Sequence, residues 1–519
     1  MSALRPRPFG ELLAVTGIAA DSGIRDIGIT GISDDSRTVQ RGDLYLALRG
    51  TRADGRDYIA QAVDRGAVAV LAEADDTAVV DRVMPASAAA AVPVIAVRQL
   101  RALAGPVAAT FFGEPARALA VLAVTGTNGK TTTSWLLASA LDRLGRRTAV
   151  LGTLGVGATH ARAPLRNTTP GAVELQQLLA GLRDAGFSAV AMEASSIGIA
   201  QHRLAGMHFE IAIFTNISRD HLDYHGTMAA YAEAKAPLFS WPGLAGAVLN
   251  ADDVCAVRWL AEGRIHAARV LTYGTGRSHD IGLLEIVPAV RGMTLRLVVE
   301  GHPVLITTPL IGDFNAGNVM AVVGALRLLG YETDAIVRVL GEVDAPAGRM
   351  ETFGGADAPL CVVDYAHTPD ALEKTLSVLR ARTAGSLWCV FGCGGNRDSG
   401  KRAQMGEVAA RLADQVIVTS DNPRDEDPRM IIDAVVAGIG AGVQVLVEPD
   451  RARAIAAAIT AASISDVVLV AGKGHEDYQE IAGQRLPFSD QHQVQAALVA
   501  RGAAALAGAS VGASGGAAC

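Results

Sequence analysis

Apolar runs of strand length alternate with Ala- and Leu-rich helical patterns from one end of the chain to the other. This alternation is typical of α/β domains with parallel sheets, because a parallel strand needs a crossover helix before it. At roughly 100–200 residues per domain, 519 residues correspond to about three domains. Aromatic residues make up only 4% of the chain, so the cores must be built mainly from Ala, Val, Leu and Ile.

Three such blocks and a tail can be distinguished. The strand and helix patterns of residues 1–105 predict a small α/β domain. Residues 106–345 open with a strand that runs into a glycine-rich loop and a helix, which is typical of a P-loop ATPase-like domain with a mainly parallel sheet. Residues 346–500 contain four apolar strands that each end in a polar loop, which predicts a Rossmann-like domain with its ligand site at the carboxyl ends of the strands. Residues 501–519 are mostly Ala, Gly and Ser, which predicts a flexible tail.

Charge and cysteine usage limit the classes of partner. The net charge is −7, which argues against a nucleic acid or an anionic membrane held by bulk charge. The N-terminus has no apolar signal region, and no stretch is typical of a membrane span. Five cysteines without a CxxC pair indicate a reduced protein. We therefore expect a cytoplasmic protein without membrane insertion.

Lysine is scarce. Lys and Arg together number 46, and only five of these are Lys, so that 41 are Arg. A coding bias toward Arg explains the ratio, and under such a bias Lys should persist where its compact, titratable amine is needed. The five are Lys130, Lys235, Lys374, Lys401 and Lys473.

The strongest local motif is GTNGKTT, between a predicted strand and a predicted helix. Its glycines allow backbone N–H groups to wrap a phosphate, and the helix N-terminus favours negative charge. Lys130 is predicted to reach the β- and γ-phosphates and Thr131 to ligate Mg²⁺. Val124 stands where the longer Walker pattern has Gly, so this is a shortened phosphate loop. Its residues are Gly126, Thr127, Asn128, Gly129, Lys130, Thr131 and Thr132.

A second cluster follows in the same block. Glu193 ends a predicted strand and His221 follows another, an arrangement that suits metal ligation near the phosphates. The spacing of His221 and His225 by itself suggests zinc, but Leu222 stands where the HExxH motif needs Glu. Taken alone, each histidine is more often structural, and Lys235 is simply a surface lysine.

A third cluster lies in the last block. The string DNPR places Arg424 in a turn just past a strand, where its planar guanidinium suits a carboxylate. Arg397 is a second candidate ligand for an anion, and Glu476 and Asp477 could accept an ammonium. Together these residues fit a zwitterionic amino acid, although any one of them alone is better explained by surface salt bridges.

In this order, the motifs resemble those of the Mur ligases, and within that family the branch that adds meso-diaminopimelate. The strings that carry the resemblance, spread between residues 33 and 490, are TGTNGKTTT, NTTP, SSIGIAQHR, TNISRDHLDYHG, GDFNAGN, VVDYAHTPDALEK, GCGGNRDSGKR, DNPR and GKGHEDYQ. The resemblance implies an N-terminal UDP-binding domain, a central ATP-binding domain and a C-terminal amino-acid-binding domain. It implies a monomeric ATP-dependent amide ligase of peptidoglycan precursor synthesis.

The implied reaction joins meso-diaminopimelate to the D-Glu of UDP-N-acetylmuramoyl-L-Ala-D-Glu through an acyl-phosphate. The implied cofactors are ATP, two Mg²⁺ ions and CO₂ as a lysine carbamate. A carboxylate is a poor electrophile until its oxygen becomes a leaving group, so phosphorylation is chemically sensible.

The resemblance also assigns residues. Those implied for catalysis and metal binding are Lys130, Thr131, Glu193, His221 and Lys235, with Lys235 carbamylated. Those implied for the nucleotide, besides the phosphate loop, are Asn315, Arg349 and Asp364. Those implied for the UDP-muramoyl-dipeptide are Asp34, Ser36, Thr51, Arg52, Ala53, Asn167, Thr168, Thr169, Ser195, Gln201 and Arg203. Those implied for diaminopimelate are Arg397, Asp421, Asn422, Pro423, Arg424, Gly472 and Glu476.

Two alternatives stay open. One is a related ligase that adds L-lysine or extends folylpolyglutamate. Arg424 argues against lysine, which lacks the second carboxylate of diaminopimelate, and an unpaired Arg424 should give about 100-fold discrimination. The other is a non-enzymatic, nucleotide-gated binding protein, against which the joint presence of Lys130, Glu193, His221 and Lys235 argues.

Overall fold

The computed structural model describes residues 5–50, 53–74, 92–289, 292–396, 399–440 and 444–513. It is an α/β protein of the three-domain type, as predicted, with a small N-terminal sheet, a mainly parallel central sheet and a C-terminal sheet. The chain forms two compact units. The first comprises residues 1–282 and 320–336, and the second comprises residues 283–319 and 337–519.

The first unit begins with a four-stranded parallel sheet in the order β3-β4-β5-β6. Its elements are β1 (Arg7–Pro8), α1 (Phe9–Ala14), β2 (Gly28–Ile29), β3 (Gly31–Ser33), β4 (Asp43–Ala47), a 3₁₀ turn (Gly55–Tyr58), α2 (Ile59–Asp64), β5 (Ala69–Ala74), β6 (Val94–Arg98) and α3 (Leu100–Phe112). Strands β1 and β2 pair with each other. The predicted domain boundary at residue 105 falls inside α3, because this helix continues to bury Val107, Phe111 and Phe112 in the N-terminal core.

The central sheet of the first unit has the order β10-β9-β8-β11-β7-β12-β13-β14. Its elements are α4 (Pro115–Ala118), β7 (Ala120–Thr125), α5 (Lys130–Arg143), β8 (Thr148–Gly152), β9 (Gly155–Ala158), β10 (Ala161–Ala163), α6 (Ala172–Asp184), β11 (Ala189–Glu193), α7 (Ser196–Ala200), β12 (Ile211–Phe214), α8 (Leu222–His225), α9 (Met228–Glu233), a 3₁₀ turn (Ala236–Ser240), β13 (Gly246–Asn250), α10 (Val254–Ala261) and β14 (Arg269–Thr275).

The five middle strands of that order, together with β14, run parallel, and β8, β9 and β10 turn back on one another. Every residue of β7, β8, β11 and β12 is buried, as expected for strands covered by helices on both faces. Because parallel strands end at the same edge of the sheet, the segments that follow β7, β11 and β12 come together there.

Three elements include residues of both units: β15 (Ile281–Pro288), α11 (Phe314–Leu328) and α12 (Thr333–Leu340). The second unit adds the antiparallel pair β16 (Met293–Val299) and β17 (His302–Thr308).

The main sheet of the second unit has the order β18-β19-β23-β20-β21-β22, with β18 antiparallel and the others parallel. The elements of this part of the unit are β18 (Glu351–Gly354), β19 (Leu360–Asp364), α13 (Pro369–Arg380), β20 (Leu387–Phe391), α14 (Gly400–Leu412), β21 (Gln415–Val418), α15 (Pro428–Val436), β22 (Val445–Val447), α16 (Arg451–Ala461), β23 (Val467–Ala471), β24 (Tyr478–Ile481), β25 (Gln484–Pro487) and α17 (Asp490–Ala513). Strands β24 and β25 form a separate antiparallel pair.

Helix α17 runs through the predicted boundary at residues 500–501, so the first part of the predicted tail continues a helix. Residues 514–519 lie outside the described residues. None of the helices in the described ranges has the length and apolar character needed to cross a membrane.

Candidate active site

The phosphate loop connects β7 to α5 and is held by the segment that follows β12. Gly126 has φ +149°, and a Cβ there would lie 1.9 Å from the Thr215 hydroxyl oxygen, so only glycine fits. The Thr215 hydroxyl donates to the Asn128 carbonyl at 2.6 Å, and the Thr127 N–H donates to the Asn216 carbonyl at 2.7 Å. The loop is therefore fixed from the neighbouring strand.

Lys130 lies over the loop that contains it. Its Nζ donates to the carbonyls of Gly126 at 2.9 Å and Thr127 at 2.7 Å. A cation in this position stands where the loop would receive a phosphate, as the motif predicts.

Lys235 reaches the same loop from the segment after α9. It is only 1% exposed, and its Nζ donates to the Gly126 carbonyl at 2.9 Å. Burial first, and then the charge of Lys130, lower the pKa of Lys235 to about 6, against a smaller opposite effect of Asp220. The interpretation of Lys235 as a surface lysine is therefore wrong, and its amine is mostly uncharged near neutral pH.

Tyr231 joins these groups. It is fully buried, its hydroxyl lies 3.0 Å from the Thr127 hydroxyl oxygen, and its ring faces the Lys235 Nζ at 4.6 Å. Burial raises the pKa of Tyr231 to about 12, so the hydroxyl stays protonated. Sequence reasoning missed this residue, because a single Tyr in a helical stretch carries no motif signal.

Glu193, at the end of β11, is buried beside the loop. Its Oε2 accepts from the hydroxyls of Thr131 at 3.0 Å and Thr153 at 3.2 Å, and its Oε1 accepts from the Thr153 N–H at 2.8 Å. A carboxylate beside a threonine hydroxyl is an oxygen donor set that suits Mg²⁺. The structure thus brings together the predicted pair Thr131 and Glu193.

Among the described residues, no hydrogen bond joins His221 to that pair. It directly precedes α8 as the N-cap residue with φ +52°, its side chain is 42% exposed, and its Nε2 lies 3.5 Å from the Asp220 carboxylate. No group of three or more His, Cys, Asp or Glu side chains able to hold a metal occurs among the described residues. Mg²⁺ often takes only one or two protein carboxylates and completes its shell with water and substrate phosphates, so these residues still fit it.

An open cleft of about 1190 Å³ lies between the N-terminal sheet and the central segment of the first unit. Four of the residues predicted for the UDP-muramoyl-dipeptide line it: Asp34, Asn167, Gln201 and Arg203. Arg101 and Arg166 line it too and were not predicted, although Arg166 directly precedes the NTTP string. The lining thus includes four arginines, Arg37, Arg101, Arg166 and Arg203, and four carboxylates, Asp34, Asp35, Asp43 and Glu174. The arginines can pair with anionic groups of a ligand.

The cleft is linked to Glu193 through hydrogen bonds. The Thr169 hydroxyl donates to the Glu193 carbonyl at 2.8 Å and accepts from the Ser195 N–H at 3.0 Å. The Arg203 guanidinium donates to the Thr169 carbonyl at 2.8 Å and to Gln201 Oε1 at 2.7 Å.

The other predicted substrate residues divide into three cases. The Thr168 hydroxyl lies 3.1 Å from that of Thr153, next to Glu193. Ser36 is buried and donates to Gln61 Oε1 at 2.7 Å, inside the N-terminal domain. Ala53 is exposed, while Thr51 and Arg52 lie outside the described residues.

Of the predicted nucleotide residues in the second unit, Asn315 is buried, whereas Arg349 and Asp364 are half-buried. Asn315 Nδ2 donates to the Ile311 carbonyl at 2.7 Å. Asp364, at the end of β19, accepts from the Met350 N–H at 2.8 Å. Burial raises the pKa of Asp364, and the charge of Arg349 opposes that rise. The Arg349 Nε is buried without a hydrogen-bond partner in the described part of the chain.

The predicted amino-acid site forms where β21 and β23 end. Gly472 has φ +116°, and a Cβ there would lie 2.5 Å from Asp421 Oδ2. Asn422 Nδ2 donates to Glu476 Oε2 at 2.7 Å. The structure therefore brings both predicted loops into one site.

Arg424 stands at the edge of this site. Its Nη1 donates to the Gly395 carbonyl at 2.6 Å, and its Nε lies 3.5 Å from the Glu480 carboxylate. Its side chain is partly exposed, so it can still meet a ligand. Pro423 precedes it in the turn, and Arg397 lies outside the described residues.

A buried ion pair supports the strands that carry this site. Arg451 donates to both carboxylate oxygens of Asp490 at 2.7 Å, and both side chains are fully buried. Arg451 also donates to the Ala471 carbonyl at 2.9 Å, directly before Gly472. Sequence reasoning missed this pair, whose members are 39 residues apart and lie outside the motifs.

Three family models match the chain. The model of the Mur ligase family catalytic domain matches residues 28–112, the Mur ligase middle domain residues 124–326, and the Mur ligase glutamate ligase domain residues 348–474.

Curated relatives match over almost their whole length. A UDP-N-acetylmuramoyl-L-alanyl-D-glutamate--2,6-diaminopimelate ligase of Pseudomonas aeruginosa is 50% identical over 477 residues, 92% of this chain and 96% of the relative. A ligase of the same name from Ectopseudomonas mendocina is 49% identical over 497 residues, 95% of this chain and 99% of the relative.

Solved structures of Mur ligases are also similar to this chain. A structure of a UDP-N-acetylmuramoyl-L-alanyl-D-glutamate--2,6-diaminopimelate ligase superposes with a TM-score of 0.73 at 36% identity, over 96% of this chain and 99% of the other. A MurF structure from Acinetobacter baumannii, at 20% identity and a TM-score of 0.59 over 91% of this chain and 96% of its own, shares the fold.

Proposed function

The chain belongs to the Mur ligase family, and on that premise we propose that it joins meso-diaminopimelate to UDP-N-acetylmuramoyl-L-Ala-D-Glu at the expense of ATP. The observation that carries the proposal is the phosphate loop: Lys130 lies over it, and Thr131 bonds to the buried Glu193. The identity of the acceptor is inferred from the relatives that match nearly the whole chain, since their names specify 2,6-diaminopimelate.

The reaction needs an activated carboxylate. Phosphoryl transfer from ATP to the D-Glu side chain converts a carboxylate oxygen into a leaving group. The amine of diaminopimelate then attacks the carbonyl carbon, the bond to the phosphate oxygen breaks, and the amine loses a proton. The products are the amide, ADP and phosphate. Lys130 stabilises the negative charge that develops on the transferred group.

Mg²⁺ supplies further charge neutralisation when bound. Thr131 and Glu193 would hold one ion, because their oxygens already face each other. His221 and a carbamylated Lys235 would hold a second ion. The uncharged Lys235 amine supports carbamylation, since only a free amine can add CO₂, and the product carries the carboxylate oxygens that Mg²⁺ prefers.

The cleft of the first unit is where we place the UDP-muramoyl-dipeptide. Its lining includes Asp34, Asn167, Gln201 and Arg203, and the Thr169 hydroxyl joins that lining to Glu193. A dipeptide that extends from the cleft along this network would bring its terminal carboxylate toward the phosphate loop.

The loops after β21 and β23 are where we place diaminopimelate. Glu476 would accept an ammonium, and Arg424 would pair with the carboxylate at the distal end of the amino acid. The assigned set is Asp421, Asn422, Pro423, Arg424, Gly472 and Glu476, with Arg397 from the sequence. The monomeric state and the cytoplasmic location stay predictions.

Phosphate release tests the proposal, with meso-diaminopimelate and L-lysine compared as acceptors. We expect kcat/KM to be about 100-fold higher for diaminopimelate, since lysine leaves Arg424 unpaired. Arg424→Ala should remove most of this preference by raising KM for diaminopimelate. Arg429→Ala, an exposed arginine on α15, is the matched control and should behave as the wild type.

Two results would contradict the proposal. Turnover with lysine equal to or better than that with diaminopimelate would refute the acceptor. Absence of phosphate release with every acceptor would favour a nucleotide-gated binding protein.

A further inference from the structure

Lys473, one of the five lysines, is fully buried in the loop after β23. Its Nζ donates to Asn422 Oδ1 at 3.0 Å and to Glu476 Oε2 at 3.1 Å. A buried ammonium is costly unless it is paired and hydrogen-bonded, and these two acceptors meet that need. No assigned role accounts for this side chain.

The contacts of Lys473 fix the orientation of the Asn422 amide. Asn422 Oδ1 accepts from Lys473 Nζ and, at 2.9 Å, from the Glu480 N–H, whereas Asn422 Nδ2 donates to Glu476 Oε2. A flipped amide would turn its NH₂ group toward an ammonium and an N–H, both of which are donors. Only one orientation therefore satisfies all the partners.

The same contacts fix the Glu476 carboxylate. Both Lys473 and Asn422 donate to Oε2, and none of the hydrogen bonds between described residues reaches Oε1. The Glu476 side chain is 19% exposed, whereas that of Lys473 is fully buried. One carboxylate oxygen is thus held from inside the protein while the other can meet a ligand.

We propose that Lys473 is a positioning residue of the amino-acid site, which fixes Asn422 and Glu476 so that Glu476 Oε1 accepts the ammonium of the incoming amino acid. The proposal rests on the proposed function and deepens it. Lys473 does not touch the substrate, because its Nζ is enclosed by its own partners. A lysine suits this place better than arginine, since its compact head group serves two acceptors in a closed space.

Steady-state kinetics of Lys473→Met tests the role. Loss of hydrogen bonds to a charged group should raise KM for diaminopimelate about 10- to 100-fold. KM for ATP and for the UDP-muramoyl-dipeptide should stay as in the wild type, since the hydrogen bonds of Lys473 among the described residues go to Asn422 and Glu476 and not to the residues assigned to those substrates. A merely structural lysine would not give this selective change.

Lys374→Met is the matched control. Lys374 lies in the same unit, and its ion pair within the described part of the chain is the exposed one with Asp370, one turn away on α13. The same substitution there should leave all three KM values unchanged. An unchanged KM for diaminopimelate in Lys473→Met, or an equal rise in all three KM values, would overturn the proposal.

Two further measurements keep the test decisive. If Lys473→Met does not fold, combining it with Glu476→Gln removes both charges. If Lys473 acts through Glu476, KM for diaminopimelate in the double variant should be no higher than in Glu476→Gln alone. A further rise in KM from adding Lys473→Met to Glu476→Gln would refute the proposal that Lys473 acts through Glu476. Calorimetry of diaminopimelate binding to the intact wild type and to Lys473→Met tests the positioning role of Lys473 without turnover. A protein that binds diaminopimelate but does not catalyse ligation would then be distinguished from one in which Lys473 has no positioning role.

Discussion

The buried amine of Lys235 makes the proposed dependence of activity on CO₂ testable in quantitative terms. With a pKa of about 6, the amine at about pH 7.5 is uncharged roughly 30 times more often than it is charged. An ordinary lysine at that pH is uncharged in only about one molecule in a thousand. The fold therefore raises the abundance of the form that adds CO₂ by roughly three orders of magnitude.

The sign of the pH effect follows from the lowered pKa. Between the folded pKa, about 6, and that of an ordinary lysine, the unfolded chain binds more protons at this residue. The free energy of unfolding that is lost by burying the amine is therefore largest below about pH 6. This loss becomes smaller as the pH rises and disappears near the pKa of an ordinary lysine. Below about pH 6 the ammonium dominates, so carbamate and activity should be lost together.

The assay combines ¹³C-bicarbonate NMR with phosphate release. The wild type should show a carbamate carbon near neutral pH, lose activity in CO₂-depleted buffer, and regain it when bicarbonate is added. Lys235→Arg should lose about 100-fold or more in kcat, since guanidinium stays protonated and cannot add CO₂. Lys235→Ala should lose activity and recover part of it with added acetate, a small carboxylate.

Lys374→Arg is the control for these lysine substitutions and should match the wild type, because the Lys374 side chain is exposed and its partner among the described residues is the exposed Asp370. The reasoning is refuted if CO₂ depletion has no effect, if Lys235→Arg keeps wild-type activity, or if acetate restores nothing to Lys235→Ala.

Two other contacts give further predictions. Tyr231→Phe removes the contact with the Thr127 hydroxyl and should raise KM for ATP about 2- to 10-fold without changing KM for diaminopimelate; an unchanged KM for ATP would count against it. Arg451→Met leaves Asp490 buried and unpaired, and denaturant unfolding should show a loss of about 3–5 kcal/mol, most of which the double variant with Asp490→Leu should recover. A double variant no more stable than the single one would contradict the ion-pair explanation.

Features encoded within a few neighbouring residues could be predicted from the sequence. The phosphate loop is one, because the strand, the glycines and the helix start all lie between residues 119 and 143. Glu193 was predicted to end a strand, and it is the last residue of β11 (Ala189–Glu193). The α/β class also follows from local periodicity, and it is confirmed.

Contacts between residues that are distant in the sequence depend on the order of the strands in the sheet, so patterns of neighbouring residues could not predict them. Thr131 and Glu193 meet across 62 residues because β11 lies beside β7 in the sheet. Lys235 is buried against a carbonyl 109 residues earlier, whereas its own helical stretch gives no sign of burial. The role of Lys473 stayed open for the same reason, since its partner Asn422 is 51 residues away.

The pair of Arg451 and Asp490 also bears on when the second unit can fold. Asp490 follows Arg451 by 39 residues, so a ribosome that adds ~5–20 residues per second makes it roughly 2–8 s later. During that interval the guanidinium lacks the carboxylate to which it donates two hydrogen bonds, and enclosing it without them would be unfavourable. The sheet that carries the amino-acid site should therefore stay open during synthesis until α17 begins, and nascent chains halted before that point should be protease-sensitive in this unit.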